Sequence, residues 1–352
     1  MVKPRRAPPR RFKKTWLLLL LGSVALSLAV PFFLGGLGQF ALLHRLPRWA
    51  ALFFASFIFL SWGFSAGRLR LIMAAMGKKL GWWQGALMTM AAEFAGVTTP
   101  GAVGMAATYA FLFKEQGFSV GEAFGMLAIV ILTDVLFYGT LMPIAAISLI
   151  FEGAPLGAWR LAAAIILVVI GGAWFLWALI HYYRHIYHFL SRRMARVPWL
   201  ARRRLRLARM TVEFVRAFRI LARMSWRRRL GLYGVTCGYW LPRYGILIAV
   251  IYLLGGRVPL AYLFLVQGIL NLGGQMFPLP GGGGGVDASY AALMSPYLGT
   301  EALAFTLLVW RTYTFYWYVI TGGPVFLIMT GKAVQARLGR RRTSRHRRKA
   351  IP

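Results

Sequence analysis

The sequence predicts an all-α polytopic membrane protein with about six full transmembrane helices, two broken re-entrant helical hairpins and both termini in the cytoplasm. The chain has 352 residues, of which 59% are hydrophobic, and several apolar runs approach the roughly 20 residues that a helix needs to cross a bilayer. Most of its 42 Lys and Arg residues lie in four segments beside these runs. The short segments of alternating polarity that are typical of a transmembrane β-barrel are not evident.

The distribution of positive charge orients the predicted helices. A formal net charge of +34 could indicate a nucleic-acid partner, but basic residues that flank apolar spans instead follow the positive-inside rule. The four basic segments are 3–14, 68–79, 184–229 and 332–349. We expect them in the cytoplasm, with no nucleic acid bound. The predicted location is a bacterial cytoplasmic (inner) membrane.

The first half of the predicted transmembrane domain, residues 16–183, follows a basic N-terminal segment, residues 1–15. The run that begins WLLLLLGSVALSLAV at Trp16 could also be a signal peptide, but it is long enough for a membrane anchor. The predicted apolar helical segments of this half are 16–37, 49–66, 82–113, 122–150 and 158–183.

An Arg-rich linker, residues 184–229, separates the two halves. Within it, Leu207, Met210, Phe214 and Phe218 recur at helical spacing, which predicts an amphipathic helix on the cytoplasmic surface. The predicted segments of the second half, residues 230–330, are 230–254, 260–276, 288–298 and 301–329. A basic cytoplasmic tail, residues 331–352, follows.

Each half contains an apolar segment that is broken in its middle, at Thr98–Gly101 and at Pro278–Asp287. The flanking spans already place the basic segments inside, so each broken segment is either a re-entrant hairpin or two full spans. The arm at 288–298 is only about 16 Å long as a helix, against about 30 Å of hydrocarbon, which favours hairpins. Pro100-Gly101 matches Pro280-Gly281 at an offset of 180 residues, so the halves are predicted to be an inverted repeat.

The broken segments are candidate binding sites because non-helical backbone is tolerated at membrane depth only inside protein or beside a wet cavity. Glycine permits a positive φ and the close approach of a ligand, and free amides at a helix start suit an anion such as phosphate. The alternative is a packing turn that binds nothing. The candidate positions are Thr99, Gly101, Gly281, Gly282 and Gly284.

Five charged residues are predicted at membrane depth: Glu93, Asp134, Arg243, Asp287 and Arg311. A charge at mid-helix costs about 2.5–3.5 kcal/mol on translocon scales, so each should face a partner or a cavity, and we expect the five to converge. The arginines are predicted to bind an anionic headgroup, while Asp134 and Asp287 hold them or a cationic part of the substrate. Movement of the substrate would be downhill or ion-coupled, and in the ion-coupled case Asp134 or Glu93 would carry protons. Ion pairs that only tie helices together are the alternative.

Motifs for catalysis or metal binding are weak. The single cysteine, Cys237, excludes an internal disulfide and a CxxC metal site, and the sequence has no ATP-binding GxxxxGK[ST]. GFSVG at Gly117–Gly121 matches a nucleophile elbow without its strand–turn–helix context. Ser119 and Glu122 instead predict a capping box at the start of the next helix. We therefore expect no cofactor and no enzymatic activity.

The chain resembles the flippase-like membrane domain of bacterial lysylphosphatidylglycerol synthases, and the free-standing proteins that consist of this domain alone. The resemblance covers most of residues 16–329. It rests on TPGAVG, QGFSVGEA, the acid of LTDVLFYG, PLPGGGGGVDASYAALM and the arginine of LLVWRTY. No soluble aminoacyl-transferase domain follows Met329, so the resemblance implies lipid translocation and not lipid synthesis.

These observations predict the translocation of an amphipathic anionic lipid, such as a phospholipid, glycolipid or isoprenoid lipid, between the leaflets. Two other functions stay open. One is a membrane-embedded enzyme, or an accessory subunit that partners an enzyme, in the synthesis of lipids or cell-envelope glycolipids. The other is a secondary transporter of small soluble anions. The oligomeric state is also open, with a dimer as one option.

Overall fold

The computed structural model describes residues 10–151 and 223–331, together with scattered residues between 160 and 220. The described residues form helices, turns and loops, and none of them is in a strand. Most of the predicted span at 158–183 and most of the predicted amphipathic linker at 184–229 lie outside the described residues.

Residues 10–151 form five helices joined by short connections. A 3-10 helix, Gly38–Arg45, lies between the first two. The five helices are α1 (Arg10–Gly35), α2 (Ala50–Ala75), α3 (Trp82–Val97), α4 (Val103–Glu115) and α5 (Val120–Phe151).

Residues 223–331 contribute four more helices, the last of which is interrupted by a π-helical turn. They are α6 (Trp226–Leu253), α7 (Leu260–Gly274), α8 (Gly285–Met294) and α9 (Thr300–Arg311). The π-helical turn is Thr312–Tyr316, and helix resumes over 317–331.

Three helical segments of the described residues are long and apolar enough to cross a membrane: Ala50–Ala75, Gly125–Leu149 and Trp226–Leu253. These are α2, most of α5, and α6, and α2 packs along α6. Their length and composition are those of membrane spans, so the chain is a membrane protein.

The start of α5 confirms the predicted capping box. The backbone N–H of Ser119 donates to Glu122 Oε2 at 2.8 Å, and the backbone N–H of Glu122 donates to Ser119 Oγ at 3.1 Å. Two amides that have no partner within the helix are thereby satisfied.

The end of α2 differs from the sequence prediction. The predicted helix ended at Ala66 and left Arg68 in a cytoplasmic basic turn, whereas α2 continues to Ala75 and Arg68 is buried, with 3% exposure. The placement of Arg68 in the turn is therefore wrong. The helix continues because an apolar face persists after Arg68, and Leu69 and Ile72 on that face are buried.

Both predicted helix breaks are present. The first break, residues 98–102, separates α3 from α4, and the second break, residues 275–284, separates α7 from α8. Each break contains one 3-10 turn that begins with proline. The glycine that follows the proline has nearly the same backbone angles in both turns: φ 62, ψ 20 at Gly101 and φ 62, ψ 12 at Gly281. The two turns touch each other.

The buried hydrophobic residues form two clusters that share the same long helices. On α2, Ile58 belongs to one cluster and Leu69 to the other; on α6, Leu247 and Leu232 are divided in the same way. α5 also changes cluster along its length. A level between the clusters therefore exists on all three helices, and polar side chains occupy it.

Candidate functional site

Five residues between the two apolar clusters form what we call the polar layer. They are Arg68 of α2, Glu93 of α3, Asp134 of α5, and Tyr239 and Arg243 of α6. Arg68, Glu93 and Tyr239 are buried. Charged groups at such a depth must find partners within the protein.

Arg243 and Glu93 form the first ion pair of this layer, through Arg243 Nη2 and Glu93 Oε1. The carboxylate also accepts the hydroxyl of Tyr239 at 2.9 Å and the indole N–H of Trp62 at 2.7 Å. Arg243 Nε donates to Ser61 Oγ at 2.6 Å. The pair therefore links α2, α3 and α6, and both oxygens of Glu93 have donors.

Arg68 and Asp134 form the second ion pair, with Arg68 Nη1 at 2.5 Å from Asp134 Oδ1. The indole N–H of Trp240 donates to the same oxygen at 2.8 Å. Among the described residues, Arg68 Nε is buried without a hydrogen-bond partner. The Asp134 side chain is 24% exposed, whereas that of Arg68 is 3% exposed. Asp134 is therefore the accessible residue of this pair.

Tyr239 connects the two pairs. The centroid of its ring lies 4.1 Å from Arg243 Cζ and 4.5 Å from Arg68 Cζ. Such cation–π contacts stabilise guanidinium groups that have left water. Since the layer contains two arginines and two carboxylates, its formal charge is zero.

A third pair, Arg311 and Asp287, holds the second break. Arg311 Nε lies 2.5 Å from Asp287 Oδ1 and Nη2 lies 2.9 Å from Oδ2, while Nη1 donates to the carbonyl of Gly281 at 3.0 Å. The carboxylate also accepts the N–H of Gly284 at 2.8 Å and the hydroxyl of Ser27 at 3.3 Å. This pair thus connects α9 with α1 and with Gly281 and Gly284 of the glycine run.

The glycines of the second break permit close packing. A Cβ on Gly281 would collide with the ring of Phe315, and a Cβ on Gly283 would collide with Ser23 of α1. The hydroxyl of Ser23 also donates to the carbonyl of Pro280, and Gly282 is buried beside it. Close packing therefore requires glycine at these positions, whether or not a ligand approaches them.

At the first break, Thr99 organises the start of α4. Its hydroxyl donates to the carbonyl of Ala95 at 2.7 Å and accepts the N–H of Gly104 at 2.8 Å. The amides expected to meet an anion are thus partly used within the protein, Gly104 by Thr99 and Gly284 by Asp287. By contrast, Pro100 and Gly101 are exposed.

A groove of about 460 Å³ lies beside the first break. Thr98 Oγ1 donates to the carbonyl of Phe94, and Thr99 Oγ1 to that of Ala95, each at 2.7 Å. Because these hydroxyls already have acceptors in their own helix, the groove presents a largely apolar wall. Its other lining residues include Gly104, Ala107, Thr108, Phe111 and Phe326.

The predicted charged residues meet in two places. Glu93, Asp134 and Arg243 lie in the polar layer, while Asp287 and Arg311 lie at the second break, and no recorded contact of the described residues joins the two places. Asp134 pairs with Arg68, which the sequence analysis had assigned to a turn. The binding of a headgroup by these residues stays a prediction.

The residue missed by sequence reasoning, Arg68, had a detectable signal. It lies in RLRLIMAAM, where Leu69, Ile72 and Met73 continue the apolar helical pattern of α2. An arginine within such a pattern is a candidate for a buried partner of an acid. Among the described residues, no group of three His, Cys, Asp or Glu side chains could hold a metal ion.

Comparison with known families gives one match. The family model described as the lysylphosphatidylglycerol synthase TM region matches residues 19–322, a range that includes both breaks and all three buried ion pairs. A search of curated proteins finds no matching sequence.

Proposed function

We propose that this chain, which belongs to the lysylphosphatidylglycerol synthase TM region family, moves an amphipathic anionic lipid between the leaflets of a bacterial cytoplasmic membrane. The lipid is a phospholipid, a glycolipid or an isoprenoid lipid. The protein moves the lipid without changing it chemically. The family relates the chain to lipid modification or translocation, and the arrangement of the two breaks favours translocation.

The lengths of the helices beside the breaks support re-entrant hairpins. α3 and α4 have 16 and 13 residues, and α7 and α8 have 15 and 10 residues. At 1.5 Å per residue the longest is about 24 Å, which is less than the roughly 30 Å of hydrocarbon in a bilayer. Within each pair the helices pack against each other. In this proposal the two hairpins enter from opposite sides of the membrane.

The similar geometry of the two breaks supports an inverted repeat. Gly101 and Gly281 have the same φ of 62, and a proline precedes each of them. Two copies of one broken hairpin in opposite orientations give a transporter two related conformations, each open to one side. Rocking of the halves about the touching breaks would give a headgroup access from each leaflet.

The contact between the two breaks, with Arg311 buried against the second of them, is the observation that carries the proposal. Arg311 uses three of its five N–H donors on Asp287 and Gly281. The remaining donors suit the oxygens of a phosphate, which a guanidinium binds in forked contacts. The headgroup would cross beside Gly101, which is exposed where the breaks meet.

The groove beside the first break suits the tail of the same lipid. Its polar side chains are threonines, and the hydroxyls of Thr98, Thr99 and Thr330 donate to carbonyls of their own helices. A hydrocarbon chain can pack against these three threonines without leaving their hydroxyls unpaired. One acyl chain in this groove would keep its headgroup near the first break.

Reconstitution into vesicles tests the proposal. Labelled phosphatidylglycerol and labelled phosphatidylcholine would be placed in both leaflets, and loss of label to a reductant outside would report exchange. We expect the protein to accelerate the exchange of the anionic lipid more than that of the zwitterionic lipid. Exchange as slow as in protein-free vesicles, across a panel of anionic phospholipids, glycolipids and isoprenoid lipids, would contradict the proposal.

Mass spectrometry of material that copurifies with the protein separates this function from anion transport. An anionic lipid held in stoichiometric amount supports translocation of lipid. A small soluble anion in its place would support a secondary transporter instead.

A further inference from the structure

We infer that Asp134 takes up a proton when an anionic headgroup binds at Arg68, so that one proton accompanies each headgroup through the membrane. The inference rests on the proposed function and adds its energy coupling. It singles out one of the three buried pairs as the pair that opens.

Asp134 is the least constrained of the three acids that pair with arginine. Asp287 accepts four hydrogen bonds, two from Arg311, one from Gly284 and one from Ser27. Its side chain has 0% exposure. Glu93 has donors on both oxygens. The two recorded donors of Asp134, Arg68 and Trp240, share Oδ1, and the side chain is 24% exposed. Oδ2 of Asp134 is therefore available to a proton.

Arg68 is the matching arginine because its hydrogen bonding is incomplete. Its Nε is buried without a partner among the described residues, and one recorded hydrogen bond, from Nη1 to Asp134, holds the group. A buried donor without an acceptor destabilises the folded protein, and more so when it is charged. A phosphate oxygen at Arg68 would supply the acceptor.

Charge balance couples the anion to the proton. The polar layer has zero formal charge, since Arg68 and Arg243 match Glu93 and Asp134. A phosphodiester that enters this layer adds one negative charge in a medium where unpaired charge is expensive. Protonation of Asp134 returns the formal charge of the layer and its bound phosphodiester to zero. The N–H of Arg68 that bonded Oδ1 then turns to the phosphate oxygen, and the buffer in the surrounding solution supplies the proton.

The other polar and charged groups that face Asp134 are an arginine, an indole and phenols. On α2 it faces Arg68, and on α6 it faces Tyr239 and Trp240. On its own helix it faces Tyr138. α4 adds Tyr109, which interacts electrostatically with Arg68. The arginine and the phenols keep their protons near neutral pH, and Glu93 is held by Arg243.

Calorimetry on the full-length protein in detergent tests the inference. The probe is short-chain dihexanoyl-phosphatidylglycerol, whose phosphodiester does not titrate near neutral pH, so any proton taken up belongs to the protein. Binding heats at pH 7 in two buffers of different ionisation enthalpy give the number of protons bound. We expect about one proton per lipid for the native protein. Asp134→Asn should bind the lipid with no proton uptake.

Glu122→Gln is the matched control. Glu122 lies on the same helix and pairs with Lys78, outside the polar layer, so its variant should take up the same proton as the native protein. Lipid binding by the native protein without proton uptake would overturn the inference and leave the proposed function standing. Proton uptake that persists in Asp134→Asn would overturn the role of Asp134.

The native protein gives a second test that needs no variant. If one proton binds with each lipid, the affinity for dihexanoyl-phosphatidylglycerol should fall by about tenfold per pH unit as the pH rises. An affinity that does not change with pH would refute the coupling. Absence of binding at every pH would count against the proposed function itself, and the inference would fall with it.

Discussion

Arg311 and Asp287 meet in a forked contact that closes the second break, with Nε at 2.5 Å from Oδ1 and Nη2 at 2.9 Å from Oδ2. Each partner also holds the glycine run, Arg311 through the carbonyl of Gly281 and Asp287 through the N–H of Gly284. A pair with these contacts stabilises the fold whether or not it also binds a headgroup. Folding and transport can be separated by experiment.

Arg311→Met should lower the free energy of unfolding by about 3–5 kcal/mol, because it leaves Asp287 buried without its cation. The double variant Arg311→Met, Asp287→Asn should recover much of this loss, since the Asn oxygen still accepts the N–H of Gly284. Chemical denaturation in detergent measures the stability, and vesicle assays measure lipid exchange. We expect no exchange in either variant. Exchange restored in the double variant would show that the pair serves folding alone.

Tyr239→Phe tests the link between the two pairs of the polar layer. It removes the hydroxyl that donates to Glu93 Oε1 at 2.9 Å and keeps the ring that contacts Arg68 and Arg243. A hydrogen bond to a charged group contributes about 1.5–3 kcal/mol, so the thermal midpoint should fall clearly. Tyr252→Phe is the control, because Tyr252 donates to a neutral carbonyl and its loss should have a smaller effect. Equal shifts would contradict the assignment.

The helix breaks and the capping box could be predicted because their causes are local. Proline and glycine end a helix wherever they occur together, as at Pro100-Gly101, and Ser119 satisfies amides only three residues away. The buried ion pairs depend on contacts between distant segments. Arg68 and Asp134 are 66 residues apart, and the charge rule that oriented the helices drew Arg68 into a basic turn.

The conformation of the glycine run at the second break also could not be predicted, because it depends on a distant segment. Its sequence permits both a ligand cradle and a tight packing turn, and which one forms depends on the neighbour. Ser23 of α1 supplies that neighbour by contacting Gly283 and donating to Pro280. Nothing near position 280 indicates that α1 lies there.

The two Pro-Gly turns should respond differently to alanine. Gly101 and Gly281 share a φ of +62, so Ala at either position costs about 1–2 kcal/mol of backbone strain. A Cβ at position 101 would meet its nearest neighbour, the carbonyl of Gln275, at an ordinary contact distance of 3.6 Å, whereas one at position 281 would collide with Phe315. Gly281→Ala should therefore be less stable than Gly101→Ala by about 1–3 kcal/mol. Thermal unfolding in detergent compares them, and equal stabilities would contradict the packing described for the second break.

The contact between α2 and α6 offers a matched glycine pair. A Cβ on Gly238 would collide with Phe64 of α2, while nothing lies within 4 Å of a Cβ on Gly234. Gly238→Ala should lower the free energy of unfolding by about 1–3 kcal/mol through overpacking. Gly234→Ala should be neutral or slightly stabilising, because alanine favours helix over glycine. Loss of stability in Gly234→Ala and not in Gly238→Ala would reverse the assignment of this contact.

The capping box predicts a pH dependence outside the apolar spans. The backbone N–H of Ser119 is the main cause that holds the pKa of Glu122 below its usual value of 4.5, and Lys78 adds to it. A carboxyl with a lowered folded-state pKa contributes stability above its unfolded pKa, and this contribution disappears as the pH falls through the folded value.

Glu122→Gln isolates that contribution, because Gln can still accept the N–H of Ser119 but carries no charge for Lys78. At pH 7 the native protein should have a higher thermal midpoint than the variant. The difference should shrink below pH 4.5, the ordinary value for this carboxyl, and vanish once Glu122 is protonated in the folded protein. Because Lys78 and Glu122 are partly exposed, salt should also reduce the difference. A difference that grows on acidification would have the wrong sign for a carboxylate held in its charged form.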